Sequence, residues 1–252
     1  MRLPMKNLTS GLNAIDTVVF DFDGTLADTL ESSLLAFEST LLQFNVDIPE
    51  PPTIATYGPL SVEGMFRQIG ISDKDLQSKL VGRYNVLYRD IAPVTARLYP
   101  GVRDTLSLLM DRGFNLAIAT NELRENLDML LTTFGIDHMF KATCCADEVR
   151  HPKPWPDMGR KVVSRLGTHA TRALMLGDSV CDIEMARNNR MQTCAVSWGA
   201  TSFDRLIVAS PNIAITDFTQ LLDILGLSNT NPEFHSIFHN RTTGISETSL
   251  VY

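Results

Sequence analysis

Five short runs of apolar residues lack the polar alternation of a half-exposed strand. Runs of this kind are typical of parallel strands that are buried on both faces of a sheet. They are Thr17–Phe20, Asn115–Ala119, Ala173–Leu176, Thr193–Ser197 and Ile213–Ile215. We therefore expect five strands of one parallel sheet, the first of them close to the start of the chain.

Helical periodicity follows several of these runs. Apolar residues recur at spacings of three and four over residues 123–134, 158–166 and 218–225, and a glycine follows each segment as a stop signal. Alternating strands and helices imply right-handed crossovers and predict an α/β fold with a doubly wound, Rossmann-like parallel sheet. Ligands of such sheets bind at the carboxyl ends of the strands, so the residues that follow the first three runs should converge.

One interval interrupts this alternation. Residues 29–99 show mostly helical patterning, punctuated by several prolines and by Gly58, and contain no convincing core strand. An insert of about 70 residues exceeds an ordinary connection between a strand and a helix. We interpret it as a helical cap domain; the alternative is that its helices simply pack on the sheet. The catalytic core would comprise residues 1–28 and 100–227, and residues 228–252 would form a polar, loosely ordered tail.

Charge and composition narrow the possible partners. The 22 Lys and Arg residues against 29 Asp and Glu give a net charge of −7, which offers no case for nucleic acid or an acidic membrane as a partner. No apolar run approaches the ~20 residues of a membrane span, and residues 1–16 lack the apolar stretch of a signal peptide. The four cysteines lack zinc-type spacing and are expected to be reduced thiols in or near the core. A cytoplasmic enzyme, either a monomer or a homodimer, fits these features.

Two carboxylates follow the first predicted strand. Asp21 and Asp23 are two residues apart, so both side chains can point to the same side of the strand end, and Thr25 offers a hydroxyl nearby. Close carboxylates repel each other unless a cation lies beside them, and a divalent cation with oxygen ligands meets that need. One carboxylate could then attack a phosphoryl group while the other handles the proton. A surface turn and a calcium loop are the alternatives, although Leu26 and Ala27 fail the calcium pattern.

The other strand ends add polar groups. Asp178 follows the third run and could share a metal with the first pair, and Asp182 would lie on the same side one helical turn later. Thr120 and Asn121 follow the second run and could donate hydrogen bonds to phosphate oxygens, helped by the next helix N-terminus. Asp, Thr and Asn are also routine helix caps. Lys153 lies in a loop stiffened by prolines, where its ammonium group could neutralise a phosphoryl group, although a lone lysine is usually solvated.

These residues form four motifs that resemble, in order, those of the haloacid dehalogenase-like hydrolases. The motifs are Asp21-Phe22-Asp23-Gly24-Thr25, Ala119-Thr120-Asn121, Lys153-Pro154, and Gly177-Asp178-Ser179 with Asp182. The resemblance covers about residues 18–225, and the helical interval is similar to the α-helical cap of that family, in its phosphoglycolate phosphatase-like branch. Two positions depart from the pattern. Trp155 replaces a usually small residue, and Asn189 replaces a frequent glycine, although asparagine also tolerates the left-handed conformation.

The resemblance implies a role for each motif residue. Asp21 would be the nucleophile that forms an aspartyl-phosphate and a Mg²⁺ ligand, and Asp23 would be the general acid and then the base, with its backbone carbonyl on the metal. Asp178 would ligate Mg²⁺, and Asp182 would complete the metal site by orienting Lys153 or a metal-bound water. The residues expected to contact the phosphoryl group are Thr120, Lys153, Asn121 and Thr25.

The resemblance therefore implies a Mg²⁺-dependent phosphatase of a small phosphorylated metabolite, of the phosphoglycolate or sugar phosphate type. Asp23 favours phosphoryl transfer, because the dehalogenases of the family lack this second aspartate. A phosphomutase of the β-phosphoglucomutase type is the alternative, and a binding protein with a relic site is disfavoured because no catalytic position is missing. In the cap, Gly58 and Arg67 are candidate substrate contacts; a structural turn and a solvated helix residue are the competing interpretations.

Overall fold

A computed structural model describes residues 14–47 and 61–227. Its strands are β1 (Thr17–Phe20), β2 (Ala27–Asp28), β3 (Arg97–Leu98), β4 (Asn115–Ala119), β5 (Ala142–Cys144), β6 (Ala173–Gly177), β7 (Gln192–Val196) and β8 (Ile213–Ile215). Six of them form one parallel sheet in the order β5-β4-β1-β6-β7-β8. The chain thus builds outward on both sides of β1, which confirms the predicted doubly wound α/β fold.

Helices connect the strands. They are α1 (Leu30–Gln43), α2 (Val62–Gln68), α3 (Lys74–Thr95), α4 (Val102–Asp111), α5 (Arg124–Phe134), α6 (Asp157–Leu166), α7 (Val180–Asn188), α8 (Phe203–Val208) and α9 (Gln220–Ile224). Gly135 and Gly167 cap α5 and α6 in the left-handed conformation, as the glycine stops predict. Among the described residues, no helix combines the length and the apolar content that a membrane crossing requires.

The sheet is covered on both faces, which explains the uninterrupted apolar runs. Alternation along β1 directs Val18 and Phe20 to one hydrophobic cluster and Val19 to another. The first cluster includes Leu106, Leu127 and Leu221 from α4, α5 and α9, and the second includes Met158 and Met185 from α6 and α7. Each large side chain fully buried in this way contributes about 1.5–3 kcal/mol to folding.

The helical interval leaves and rejoins the core at a small antiparallel pair, in which Ala27 pairs with Leu98 and Asp28 with Arg97. Within it, α1 packs against α3, and the rings of Phe37 and Phe66 lie 5.1 Å apart. The arrangement agrees with the predicted inserted helical cap. The domain boundaries stay predictions; Gly58, the prolines of the interval other than Pro93, and the tail from residue 228 lie outside the described residues.

Several local expectations differ from the structure. The sequence pattern did not predict β5, α4 or α8; β5 has three residues, too few to show a period, and depends on its pairing with β4. Asn189 adopts a right-handed conformation with φ of −98°, and the left-handed residue is Arg190, with φ of 64°. The turn therefore falls one residue later, and Nδ2 of Asn189 donates to the carbonyls of Pro156 and Met185 at 3.0 and 2.8 Å. All four cysteines are free thiols, as expected.

Candidate active site

The sheet order brings three strand ends together. Because β1 lies between β4 and β6, Asp21 follows its strand between Thr120 and Asp178. One side-chain oxygen each of Asp21, Asp178 and Asp182 lies within 4.8 Å of the other two, and all three residues are buried. The convergence predicted from the three apolar runs is therefore present in the fold.

Lys153 reaches this carboxylate cluster from the loop before α6. Its Nζ lies 2.8 Å from Oδ1 of Asp21 and 2.6 Å from Oδ1 of Asp182, and the side chain is only 2% exposed. Burial alone would lower the pKa of Lys153, but the Asp182 and Asp21 carboxylates outweigh it and raise the pKa, so the group stays an ammonium ion at neutral pH. Lys153 is thus a buried cation shared by two aspartates.

Asn121 holds the main chain of Lys153. Its Oδ1 accepts from the Lys153 amide at 3.0 Å, and its Nδ2 donates to the Lys153 carbonyl at 3.3 Å. Both ends of the Asn121 side chain are therefore used to fix the loop that delivers the ammonium group. This contact was not anticipated, because the sequence analysis assigned Asn121 to phosphate binding.

Asp182 positions Lys153 and caps α7. While its Oδ1 accepts from Lys153, its Oδ2 accepts from the backbone amide and hydroxyl of Ser179, at 3.0 and 2.6 Å. Gly177 permits this packing, since a Cβ at that position would overlap the Asp182 side chain. Asp182 therefore belongs to the cluster while both of its oxygens are engaged by the protein.

Asp178 is held at the opposite side of the cluster. Its Oδ2 accepts from the amide of Ala200 at 2.8 Å, and its Oδ1 accepts from the Thr25 hydroxyl at 3.4 Å. Gly24, with φ of 72°, packs so closely that a Cβ would lie 2.5 Å from the same carboxylate. The Thr25 hydroxyl therefore donates to an aspartate of the cluster in this structure, whereas Thr25 was predicted to contact phosphate.

The cluster carries more negative charge than its own cation neutralises, since Lys153 pairs with Asp21 and Asp182 and no second cation pairs with Asp178 among the described residues. Burial and the neighbouring Asp182 raise the pKa of Asp21 well above its ordinary value, against the opposing effect of Lys153. The same two causes raise the pKa of Asp178 to about 6. Oδ2 of Asp21 accepts no hydrogen bond from the described residues. A compact set of hard oxygen donors with excess negative charge fits Mg²⁺.

Asp23 lies apart from this cluster, on the side of the cap. Its side chain is half-buried, and its Oδ1 accepts from the hydroxyl of Thr29, the residue before α1, at 2.7 Å. Burial raises the pKa of Asp23, and the Thr29 hydrogen bond partly opposes this. A carboxyl group that is readily protonated, beside rather than within the cluster, suits proton transfer to a leaving group.

Three further residues were predicted to contact the substrate or its phosphoryl group. Thr120 is buried at the end of β4, where its Oγ1 accepts from the Glu122 amide at 3.1 Å, leaving its proton to donate. Arg67 is exposed on α2, and its Nε donates to the Glu63 carbonyl. Gly58 lies outside the described residues. The sequence analysis also missed Thr29, whose hydroxyl donates to Asp23, and only its proximity to Asp23 along the chain could have pointed to it.

Comparisons with known proteins agree with this geometry. Residues 18–196 match the family described as haloacid dehalogenase-like hydrolase. The probable phosphatase IndB of Dickeya dadantii is 32% identical over 210 residues, covering 81% of this chain and 91% of that protein. The pyrophosphatase PpaX of Oceanobacillus iheyensis is 31% identical, covering 84% and 98%. A crystal structure of a predicted phosphoglycolate phosphatase from Haemophilus somnus has a TM-score of 0.75 at 25% identity, covering 84% of this chain and 98% of that one.

Proposed function

The chain belongs to the haloacid dehalogenase-like hydrolase family, and we propose that it is a Mg²⁺-dependent phosphatase of a small phosphorylated metabolite. The observation that carries this proposal is the buried set of Asp21, Asp178 and Asp182 around Lys153. Relatives named as phosphatases, IndB and PpaX, support the reaction class. A phosphoglycolate or sugar phosphate type of substrate is the class we propose to test first.

The reaction proceeds in two displacements at phosphorus. A carboxylate oxygen of Asp21 attacks the phosphoryl group, the bond to the ester oxygen breaks, and Asp23 donates a proton to that oxygen. Asp23 then takes a proton from water, which attacks the phosphoryl group on Asp21 and releases inorganic phosphate. Lys153 and Thr120 donate hydrogen bonds to the phosphoryl oxygens in both steps. Asp21, Asp178 and the backbone carbonyl of Asp23 would hold Mg²⁺, which would supply positive charge to the carboxylates and the phosphoryl oxygens.

Removal of Mg²⁺ is expected to abolish phosphate release from a panel of phosphate monoesters, and its return should restore activity. Binding should also stabilise the folded protein, by about 2.7 kcal/mol at 100 times the dissociation constant, because the ion offsets the repulsion among the carboxylates. Phosphate assays and thermal melts with and without chelator measure both effects. The matched variant Asp178→Asn lacks one of the proposed metal ligands and should lose most of the stabilisation by Mg²⁺. Equal activity in chelator and in Mg²⁺ would contradict the proposal.

The same panel tests the phosphomutase alternative. A mutase would convert a sugar phosphate to its isomer without net release of inorganic phosphate, whereas the proposed phosphatase releases one phosphate for each ester consumed. Chromatography of the products alongside the phosphate assay separates the two outcomes.

Asp23→Asn is expected to slow hydrolysis of an alkyl phosphate by about 10²–10⁴-fold, because the leaving alkoxide no longer receives a proton. Phosphorylation by p-nitrophenyl phosphate should fall much less, since nitrophenolate leaves without protonation. Pre-steady-state kinetics with each ester in excess over the protein measure this difference, and a burst of nitrophenolate followed by slow turnover is the expected signature. Equal losses with the two esters would show that Asp23 is not the acid.

A further inference from the structure

The loop that follows β7 lies beside the carboxylate cluster, although none of the four sequence motifs includes it. It comprises residues 197–202, between β7 and α8. Because β7 pairs with β6, this loop leaves the same carboxyl edge of the sheet as Asp178. The Ser197 amide donates to the Ile215 carbonyl at 3.1 Å, so the start of the loop is also fixed to β8. The sheet therefore holds the loop next to the proposed metal site.

Two residues of this loop touch Asp178 directly. The Ala200 amide donates to Oδ2 of Asp178 at 2.8 Å. Gly199 packs so closely that a Cβ at its position would lie 2.2 Å from Cβ of Asp178 and 2.3 Å from Oδ2. The φ of Gly199 lies outside the left-handed region, so the backbone conformation does not itself require glycine. Glycine is needed here because a larger residue would displace the Asp178 carboxylate.

Trp198 holds a second hydrogen-bond donor to Asp178. The Thr25 hydroxyl donates to Oδ1 of Asp178 at 3.4 Å, and Nε1 of Trp198 donates to the Thr25 carbonyl at 3.1 Å. The indole thereby constrains the main chain of the turn that follows Asp21 and Asp23. The loop after β7 therefore reaches both oxygens of Asp178, one through the Ala200 amide and the other through Thr25.

The indole of Trp198 is itself fixed by its neighbours. Its ring lies 6.0 Å from the ring of Tyr99 and 6.0 Å from the ring of Phe218, and the Tyr99 hydroxyl donates to the Trp198 carbonyl at 3.4 Å. Phe218 stacks in turn on Phe20 of β1, again at 6.0 Å. Side chains that are locked by packing in this way can hold the groups of a site in one geometry.

We propose that Trp198 and Gly199 are positioning residues that set the affinity of the site for Mg²⁺. This inference rests on the proposed function, in which Asp178 is a ligand of the ion. Groups that orient the ligands of a metal change its affinity by about 10–100-fold, because a ligand that is already oriented need not be ordered on binding. Asp21 is held instead by Lys153 and the Phe22 amide. Substitutions in the loop should therefore weaken Mg²⁺ binding more than they alter the nucleophile.

Gly199→Ala is expected to raise the dissociation constant for Mg²⁺ by at least about 10-fold, because the added methyl group displaces the Asp178 carboxylate. Isothermal titration with MgCl₂ measures this constant without an activity assay, and the melting temperature at a series of Mg²⁺ concentrations checks it. Gly82→Ala is the matched control: a Cβ at this position of α3 would meet open space, so the constant should not change. An unchanged constant in Gly199→Ala would overturn the role of Gly199.

Trp198→Phe keeps an aromatic ring in place but removes the donor to the Thr25 carbonyl. We expect the dissociation constant for Mg²⁺ to rise by about 10-fold, while kcat at saturating Mg²⁺ stays close to that of the unmodified protein. A lower melting temperature without metal, combined with an unchanged constant, would assign Trp198 a purely structural role. A loss of kcat that excess Mg²⁺ does not restore would also overturn its part in the proposal.

The unmodified protein distinguishes the possible failures. If neither p-nitrophenyl phosphate nor the metabolite esters yield phosphate with Mg²⁺, the proposed function is wrong and the inference falls with it. If Mg²⁺ binds and supports turnover, but Gly199→Ala and Trp198→Phe bind the ion as tightly as the unmodified protein, the inference alone is wrong. If one of the two variants does not fold, the other decides the outcome.

Discussion

Asp21→Asn is expected to abolish phosphate release, with a fall in kcat of about 10⁴-fold or more. An amide cannot form the aspartyl-phosphate, and no other described carboxylate combines contact with Lys153 and an oxygen that accepts no hydrogen bond. Acid-quenched incubation with a radiolabelled substrate should show label on the unmodified protein and none on the variant. Retained turnover, or label on Asp21→Asn, would contradict the assignment of the nucleophile.

The same substitution should stabilise the protein in the absence of metal. A carboxyl group whose pKa is raised on folding reduces stability at every pH above its ordinary value of 3.8, because the folded state disfavours the ionised form. We therefore expect Asp21→Asn to raise the free energy of unfolding in chelator near neutral pH, and the gain to disappear as the pH falls below that value. Urea unfolding at several pH values measures the trend.

Asp16→Asn provides the matched control for this stability effect. Although burial acts against it, hydrogen bonds from Thr17 and Arg172 lower the pKa of Asp16. The sign is therefore reversed: the Asp16 contribution is present above the ordinary pKa and is lost as the pH falls through the lowered one. This variant should gain no stability near neutral pH. A loss of stability in Asp21→Asn similar to that of the control would contradict the proposed charge excess.

The sequence predicted those features that depend on local pattern. The bounds of β1, β4 and β8 agree with the apolar runs, and in β1 and β4 burial on both faces leaves no polar interruption after the first residue. The convergence of Asp21 with Asp178 followed from the same pattern, since parallel strands share one carboxyl edge. Features that depend on distant partners were not accessible in this way. β5 exists as a strand through its pairing with β4, and Asn121 has a partner 32 residues away.

Contacts between the cap and the core were the hardest to predict from the sequence. These contacts depend on how the cap packs on the core, where Arg89 and Glu125 form an ion pair at 3.1 Å between α3 and α5. Residue type and order therefore predicted which core side chains come together but not the contacts between the core and the cap.

The burial of Lys153 between two aspartates could not be predicted either, because nothing in its local sequence indicates it. Lys153→Met is expected to abolish activity and to destabilise the metal-free protein by about 3–5 kcal/mol, since Asp21 and Asp182 would lose the cation that they share. Urea unfolding in chelator and phosphate release in Mg²⁺ measure the two effects. Lys161→Met is the control: this partly exposed lysine lies 3.6 Å from Glu148, and its loss should change stability by about 1 kcal/mol or less.

A double variant separates the structural role of Lys153 from its catalytic role. Adding Asp182→Asn to Lys153→Met removes one of the two carboxylates that have lost their cation. The free energy of unfolding should therefore be higher for the double variant than for Lys153→Met. Activity should not return, because the phosphoryl oxygens still lack the ammonium group. If the double variant were less stable than Lys153→Met, Asp182 would be stabilising the fold mainly through its hydrogen bonds to Ser179. Together with the single variant Asp182→Asn, these proteins complete a double-mutant cycle whose non-additivity measures the interaction between Lys153 and Asp182.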